Sequence, residues 1–161
     1  MAGLEDLYRE IILDHYRSPR NRGELPVPPA HRVEGFNPLC GDEVVLFLDL
    51  APDGTVTDIK ISGQGCSISQ ASTSMMSAAV KGKSVAEVRR LVRAFKALMS
   101  IHESKLEGES GDDLAAELDG VRLGDLEALQ GVVKFPVRIK CATLAWNTLT
   151  QGLDEAGAPA E

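Results

Sequence analysis

Three cysteines and one aspartate are the residues of this sequence best placed for metal or sulfur chemistry. Cys40 lies two residues before Asp42, Cys66 follows the turn Gly63-Gln64-Gly65, and Cys141 comes late in the chain. We expect Cys66 and Cys141 to lie at helix starts, where free amides favour negative charge and lower thiol pKa values. Three thiolates and a carboxylate suit a tetrahedral zinc ion. We therefore predict one zinc site formed by Cys40, Asp42, Cys66 and Cys141; three inert buried thiols are the alternative.

Two basic residues flank the last cysteine. Three thiolates and one carboxylate around a divalent cation leave about two negative charges. Arg138 and Lys140 can offset that charge if they turn toward Cys141. The alternative is that both side chains point into solvent, as most surface arginines and lysines do.

The elements that must position these residues follow from hydrophobic spacing and turn residues. Apolar spacing predicts a helix over 4–16, and β-branched or apolar runs predict strands near 31–36, 44–50 and 56–61. Helices follow after Cys66, after the capping box Ser84–Glu87, over 123–129 and from near Ile139. This order indicates an α+β fold, with a small antiparallel sheet and helices packed on one face.

The chain length of 161 residues fits one compact domain. We assign residues 1–156 to that domain, with an acidic insertion at about 107–120 that carries no basic residue between Glu107 and Asp119. The end of the chain, 157–161, is expected to be disordered.

Charge and hydropathy argue against several classes of partner. The formal net charge is −7, which disfavours nucleic acid or an anionic membrane. Apolar runs are far shorter than the ~20 residues of a membrane helix, and the N-terminus has no secretory pattern. We therefore expect a cytoplasmic protein with neither nucleic acid nor membrane as partner.

Four ordered segments carry a resemblance to a known family. They are Leu7 to Gly23, Asn37 to Asp42, Gly63 to Ser72 and Arg138 to Trp146. Together they resemble the SufU-type zinc-dependent sulfurtransferases, which belong to the IscU-like (NifU N-terminal) iron–sulfur assembly family. The resemblance implies the IscU-like α+β fold and covers nearly the whole chain.

Two departures favour the SufU branch over IscU itself. Lys140 occupies the position where IscU proteins have a histidine, and the stretch Phe135 to Arg138 differs from the IscU chaperone-binding sequence. SufU proteins also carry an insertion between the second and third cysteines, which agrees with the acidic residues at about 107–120.

The resemblance implies a sulfur relay. SufU proteins bind zinc, accept sulfur from a pyridoxal-phosphate (PLP) cysteine desulfurase of the SufS type, and pass it to the iron–sulfur assembly machinery. We expect Cys40 to be the catalytic sulfur acceptor, because its loop has Pro38 before it and Gly41 after it and no helix holds it. Asp42, Cys66 and Cys141 would keep the zinc while a desulfurase histidine replaces Cys40.

Other functions remain open at this point. An IscU-like scaffold would assemble an iron–sulfur cluster on the same four ligands, since thiolates suit both. A zinc-stabilised adaptor and a cysteine hydrolase with Cys40 as nucleophile are further alternatives. His15, His31 and His102 are expected to be ordinary histidines rather than ligands.

Overall fold

The computed structural model of the chain describes residues 4–38, 40–107 and 123–157. Its elements in chain order are α1 (Leu4–Arg17), β1 (His31–Asn37), β2 (Asp42–Leu50), β3 (Val56–Gln64), α2 (Ser67–Val80), α3 (Val85–Glu107), a 3₁₀ segment (Gly124–Lys134) and α4 (Pro136–Glu155). The predicted acidic insertion at about 107–120 lies almost wholly outside the described residues, as does most of the predicted tail.

The three strands form an antiparallel sheet with β2 in the centre. Val33 pairs with Leu46, which pairs in turn with Ile61, and all three side chains are buried in the core. Because side chains alternate along a strand, the next residues lie on the other face, where the Arg32 guanidinium lies 6.0 Å from the Phe47 ring centroid. The predicted α+β class, with helices on one face of a small antiparallel sheet, is confirmed.

Helices α2, α3 and α4 complete the core through large buried side chains. The rings of Phe95 on α3 and Trp146 on α4 stack with centroids 4.5 Å apart. The Trp146 indole N–H donates to Ser72 Oγ at 3.1 Å, and Ser72 donates to the Ala142 carbonyl at 2.6 Å. These hydrogen bonds fix α4 against α2, the helix that Cys66 precedes.

Two predicted helix boundaries can be compared directly with the structure. The capping box is confirmed, since Ser84 Oγ accepts the Glu87 N–H at 3.2 Å. The last helix, predicted from near Ile139, instead begins at Pro136. Proline suits the first helical position because its φ is fixed and it has no N–H to leave unpaired. Cys141 therefore lies in the second turn of α4, and its predicted place at a helix start is wrong.

The segment before α4 also differs from expectation. The helix predicted over 123–129 is a 3₁₀ segment that continues to Lys134.

Within the described part of the chain, no helix combines the length and the apolar character needed to cross a bilayer.

Candidate metal centre

The Cys40 loop joins β1 to β2 at one end of the sheet. Asn37 and Asp42 form the last cross-strand pair, so residues 38–41 connect the two strands. Gly41 adopts a φ of +67°, a left-handed conformation that favours glycine. Cys40 is half-buried on this short loop, while the neighbouring Asp42 begins β2.

Asp42 is fully buried, with its carboxylate held by two donors. Its Oδ1 accepts the Cys66 backbone N–H at 2.9 Å, and its Oδ2 accepts from Asn37 Nδ2 at 3.4 Å. A buried carboxylate requires such partners because its desolvation is costly. The hydrogen bond to Cys66 also links the first ligand loop to the start of α2.

Gly65 allows the Asp42 carboxylate to lie close to the backbone that precedes Cys66. Its φ is +155°, and a Cβ built at this position would lie 2.4 Å from Asp42 Oδ1. Any side chain here would collide with the carboxylate. The Gly63-Gln64-Gly65 turn noted in the sequence therefore makes room for a predicted ligand.

Cys141 reaches the same place from α4. Its side chain is fully buried, and its Sγ lies 3.3 Å from Cys40 Sγ. Asn37 Nδ2 lies 3.9 Å from the same sulfur. One ligand atom each from Cys40, Asp42 and Cys141 lies within 4.8 Å of the other two. Three of the four predicted ligands are thus brought together, two from neighbouring positions in the sequence and one from α4.

Cys66 lies beside this group but is not within that distance of all three members. It is the N-cap residue of α2, as the sequence predicted, and its Sγ accepts the Ser69 N–H at 3.5 Å. Its side chain also interacts with the Cys141 thiol. The fourth predicted ligand is therefore anchored at a helix start, next to the deepest thiol of the group.

The pKa of the buried Cys141 thiol is shifted in the direction opposite to the one expected. The pKa of Cys141 is raised far above its ordinary value, first by burial and then by hydrogen bonds with Asp42 and Cys40. We expected a helix N-terminus to lower it. Since Cys141 lies in the second turn and faces the core, desolvation dominates instead.

Arg138 and Lys140, the two basic residues beside Cys141, are both exposed but differ in their contacts. The pKa of Arg138 is raised above its ordinary value, mainly by a hydrogen bond with the Cys141 side chain and then by the charges of the neighbouring thiolates. Arg138 is otherwise exposed, so its guanidinium lies at the solvent side of the group. Lys140 is also exposed, one residue before Cys141. The charge-balancing role of Arg138 and Lys140 stays a prediction.

Cys40, Asp42 and Cys141 are spaced closely enough to bind one metal ion together. Bonds of about 2.3 Å to sulfur and about 2.0 Å to oxygen would place neighbouring ligand atoms roughly 3.5 to 3.8 Å apart. The separations of at most 4.8 Å among Cys40, Asp42 and Cys141 are close to that range. Soft thiolates with one carboxylate suit zinc and also suit iron–sulfur chemistry.

Asn37 is a site residue that sequence reasoning did not single out. Its side chain is buried and lies against both Asp42 and Cys141. An asparagine directly before proline looks like a turn residue. Its amide reaches the ligand group because Asn37 pairs with Asp42 across the strands, a register that the sequence does not reveal.

Comparison with known proteins identifies the family of this chain. Residues 7–142 match the model of the NifU-like N-terminal domain, which is most of the chain and includes all three cysteines. The chain belongs to the NifU-like N-terminal domain family. The resemblance stated from the sequence motifs is thereby confirmed.

Two curated relatives of this NifU-like chain align over nearly its whole length. The zinc-dependent sulfurtransferase SufU of Bacillus subtilis is 45% identical over 94% of this chain and 92% of its own. The iron–sulfur cluster assembly scaffold protein IscU of Streptococcus pyogenes is 38% identical over 95% of this chain and 86% of its own.

A solved structure of a protein named as a SufU supports the fold. The crystal structure of FiSufU, from the SUF system of Fervidobacterium islandicum AW-1, superposes with a TM-score of 0.70 at 30% identity. It covers 94% of this NifU-like chain and 99% of the FiSufU chain.

Proposed function

We propose that this chain is a zinc-containing sulfurtransferase of the SufU type. It accepts persulfide sulfur on Cys40 from a PLP cysteine desulfurase of the SufS type and relays the sulfur to iron–sulfur cluster assembly. Cys40, Asp42, Cys66 and Cys141 hold the metal. The SufU relative, named as a zinc-dependent sulfurtransferase and 45% identical, supports this over a generic metal protein.

The observation that carries the proposal is the contrast between Cys40 and the other ligands. Asp42 and Cys141 are fully buried, and Cys66 caps α2. Cys66 is half-buried like Cys40, but Cys40 lies on the loop between β1 and β2 and takes no part in a helix or its cap. Cys40 is therefore the half-buried thiol that can move toward a large donor without disturbing a helix.

The transfer step is a thiol exchange. The Cys40 thiolate attacks the terminal sulfur of the persulfide on the desulfurase cysteine. A new sulfur–sulfur bond forms at Cys40 while the old one breaks, and the desulfurase cysteine leaves as a thiolate. Cys40 then carries the persulfide, and no external oxidant or reductant is needed.

The surrounding residues prepare the thiols for this exchange. When bound, zinc favours deprotonated thiols without taking part in redox chemistry. Asn37 and the Cys66 backbone N–H orient the Asp42 carboxylate by donating to its two oxygens. Arg138, hydrogen bonded with Cys141, places positive charge beside the sulfurs and offsets the excess negative charge.

The test is desulfurase turnover measured with and without this chain, paired with metal analysis. We expect turnover to rise severalfold on addition of the zinc-loaded chain and to stay at the basal rate with Cys40→Ser. Asp53→Ala, in the exposed turn between β2 and β3, is the matched control and should act like the unsubstituted chain. A chain that binds zinc yet never raises turnover would support the adaptor function instead.

The scaffold function is the second candidate, because the IscU relative from Streptococcus pyogenes aligns over 95% of this chain. Thiolates at Cys40, Cys66 and Cys141 could hold iron as well as zinc. Purification without air distinguishes the two functions. A colourless protein with about one zinc per chain supports the sulfurtransferase, and a brown protein that absorbs visible light supports the scaffold.

A further inference from the structure

An open cleft of about 1230 Å³ lies directly beside Cys40. Its walls come from α1, the start of α2, the 3₁₀ segment and the start of α4. Pockets for small ligands usually measure about 300 to 1000 Å³. This cleft is larger and opens to solvent, so its dimensions suit a segment of polypeptide.

The lining of the cleft is mainly apolar. Ile12 of α1, Ile68 of α2 and Val132 of the 3₁₀ segment contribute to it. Two large apolar side chains at its edge face solvent, Phe135 with 62% and Val137 with 61% of their surface exposed. Exposed apolar residues clustered around a concave surface, next to a reactive thiol, are typical of a protein interaction site.

The described lining of the cleft carries basic side chains, although the chain as a whole is acidic. Its described lining residues include two arginines, Arg9 and Arg138, and no aspartate or glutamate. The whole chain has 24 acidic residues and a net charge of −7. Because Arg138 is also predicted to offset the negative charge of the metal centre, Arg9 is the cation that favours an occupant carrying a carboxylate among apolar side chains.

We propose that this cleft receives an apolar, acid-bearing polypeptide segment of the sulfur donor and so delivers the persulfide to Cys40. The proposal rests on the proposed function and names the surface that selects the donor. Phe135 and Val137 bury apolar area against the segment, while Arg9 meets its carboxylate. A donor without such a segment, such as a low-mass persulfide, gains nothing from these residues.

The experiment compares two sulfur donors on the same variants. Sulfur arriving on Cys40 is measured by mass spectrometry, with either the desulfurase and cysteine or glutathione persulfide as donor. For Phe135→Ser and Val137→Ser we expect the KM for the desulfurase to rise roughly tenfold. Their rates with glutathione persulfide should stay within about twofold of the unsubstituted chain, because the transfer step itself is intact.

Matched controls separate docking from general damage. Val27→Ser removes another exposed valine, 53% exposed, in the loop leading to the end of β1 away from the Cys40 loop, and should leave both donors unaffected. Phe135 is the N-cap residue of α4, a position that serine favours, so its replacement should not weaken the helix.

Charge reversal tests the acidic part of the segment. Arg9→Glu should slow sulfur transfer from the desulfurase to Cys40, and more so at low salt than at high salt. Arg9→Lys, which keeps the positive charge, should retain most of the transfer rate. Arg17→Glu, on the same helix but outside the cleft, is the control and should have little effect.

Each outcome has a distinct meaning. If Phe135→Ser and Val137→Ser slow sulfur transfer equally from both donors, or do not slow transfer from the desulfurase, the docking proposal is overturned. Light scattering that shows a dimer, converted to monomer by Val137→Ser, would assign the cleft to a second copy and also overturn it. If neither donor places sulfur on Cys40 of the unsubstituted chain, the proposed function itself fails.

Discussion

The sulfur atoms of Cys40 and Cys141 lie 3.3 Å apart, although the two residues are 101 positions apart in the chain. One is half-buried on a loop and the other is fully buried on a helix. The pair therefore joins an accessible thiol to a protected one. This arrangement allows a metal to be held while one of its ligands remains reachable.

The proximity of these sulfurs predicts the course of oxidation in the metal-free protein. Mild treatment with diamide should join Cys40 to Cys141, because a small movement of the loop brings the two sulfurs to bonding distance. Cys66 should remain free to react with an alkylating agent. Peptide mapping by mass spectrometry identifies the linked pair.

Zinc and a variant provide the controls for this oxidation. Added zinc should suppress the disulfide by engaging both thiolates, and Cys40→Ser should form far less of any intramolecular disulfide. Preferential linkage of Cys66 to either partner would contradict the arrangement of the thiols.

The raised pKa of Cys141 predicts how metal binding depends on pH. Burial keeps this thiol protonated at neutral pH in the metal-free protein. Since zinc binds the thiolate, uptake must release that proton, and zinc affinity should fall at least about tenfold per pH unit as pH is lowered from 8 to 6. Competition with a chromophoric chelator measures the slope, and a pH-independent affinity would contradict it.

The same shift has the opposite consequence for stability without metal. A thiol whose pKa is raised on folding contributes stability that is present below its ordinary pKa of about 8.5 and is lost as pH rises above it. The metal-free protein should therefore unfold more easily in urea at pH 10 than at pH 7.5. Cys141→Ala should lessen this difference.

Gly65 should prove as necessary to the metal site as a ligand. A Cβ in Gly65→Ala would lie 2.4 Å from Asp42 Oδ1, so the carboxylate must turn away. We expect zinc affinity to fall by roughly tenfold or more, approaching the loss in Asp42→Ala. Gly131→Ala, where the added Cβ meets no atom within 4 Å, should bind zinc normally. Unchanged zinc affinity in Gly65→Ala would remove Asp42 from the metal site.

His15 should be important for stability rather than for metal binding. Its ring is buried, with Nδ1 2.8 Å from Ser74 Oγ and Nε2 2.9 Å from Asp125 Oδ2. His15→Ala loses both hydrogen bonds and leaves a cavity beside Ser74, whose Oγ keeps the Arg20 N–H as its donor, and this should cost about 2 kcal/mol or more of unfolding free energy. Denaturant unfolding measures this cost, with zinc content unchanged.

A second histidine is the control for that measurement. His31 Nε2 makes no hydrogen bond to any of the described residues and only faces the partly exposed Glu155 carboxylate at 3.9 Å, so His31→Ala should change the unfolding free energy by less than about 0.5 kcal/mol. Equal costs for the two histidines would show that the hydrogen bonds of His15 do not stabilise the fold.

Local patterns were sufficient to predict most of the fold. The apolar run from Val44, the turn at Pro52-Asp53-Gly54 and the capping box at Ser84 each act over a few residues, and each predicted element is present. The start of α4 was missed because the apolar spacing is regular only from Ile139. Pro136, which begins the helix, gives no hydrophobic signal.

The ligand group was predictable in composition but not in arrangement. Residue types and turns suggested the three cysteines and Asp42, and a family resemblance reinforced them. The hydrogen bond from the Cys66 N–H to Asp42, and the position of Asn37 against the same carboxylate, depend on strand register and loop packing. The cleft beside Cys40 is formed by four separate elements, so no local pattern could indicate it.

The central claim is that sulfur arrives on Cys40 while the remaining ligands keep the metal. The most direct test incubates the zinc-loaded chain with a desulfurase and ³⁵S-labelled cysteine, then locates the label by peptide mapping and measures zinc in the same sample. We predict label on the Cys40 peptide, about one zinc per chain, and no label in Cys40→Ser. Label on Cys66 or Cys141, or full labelling of Cys40→Ser, would contradict the assignment of Cys40 as the acceptor.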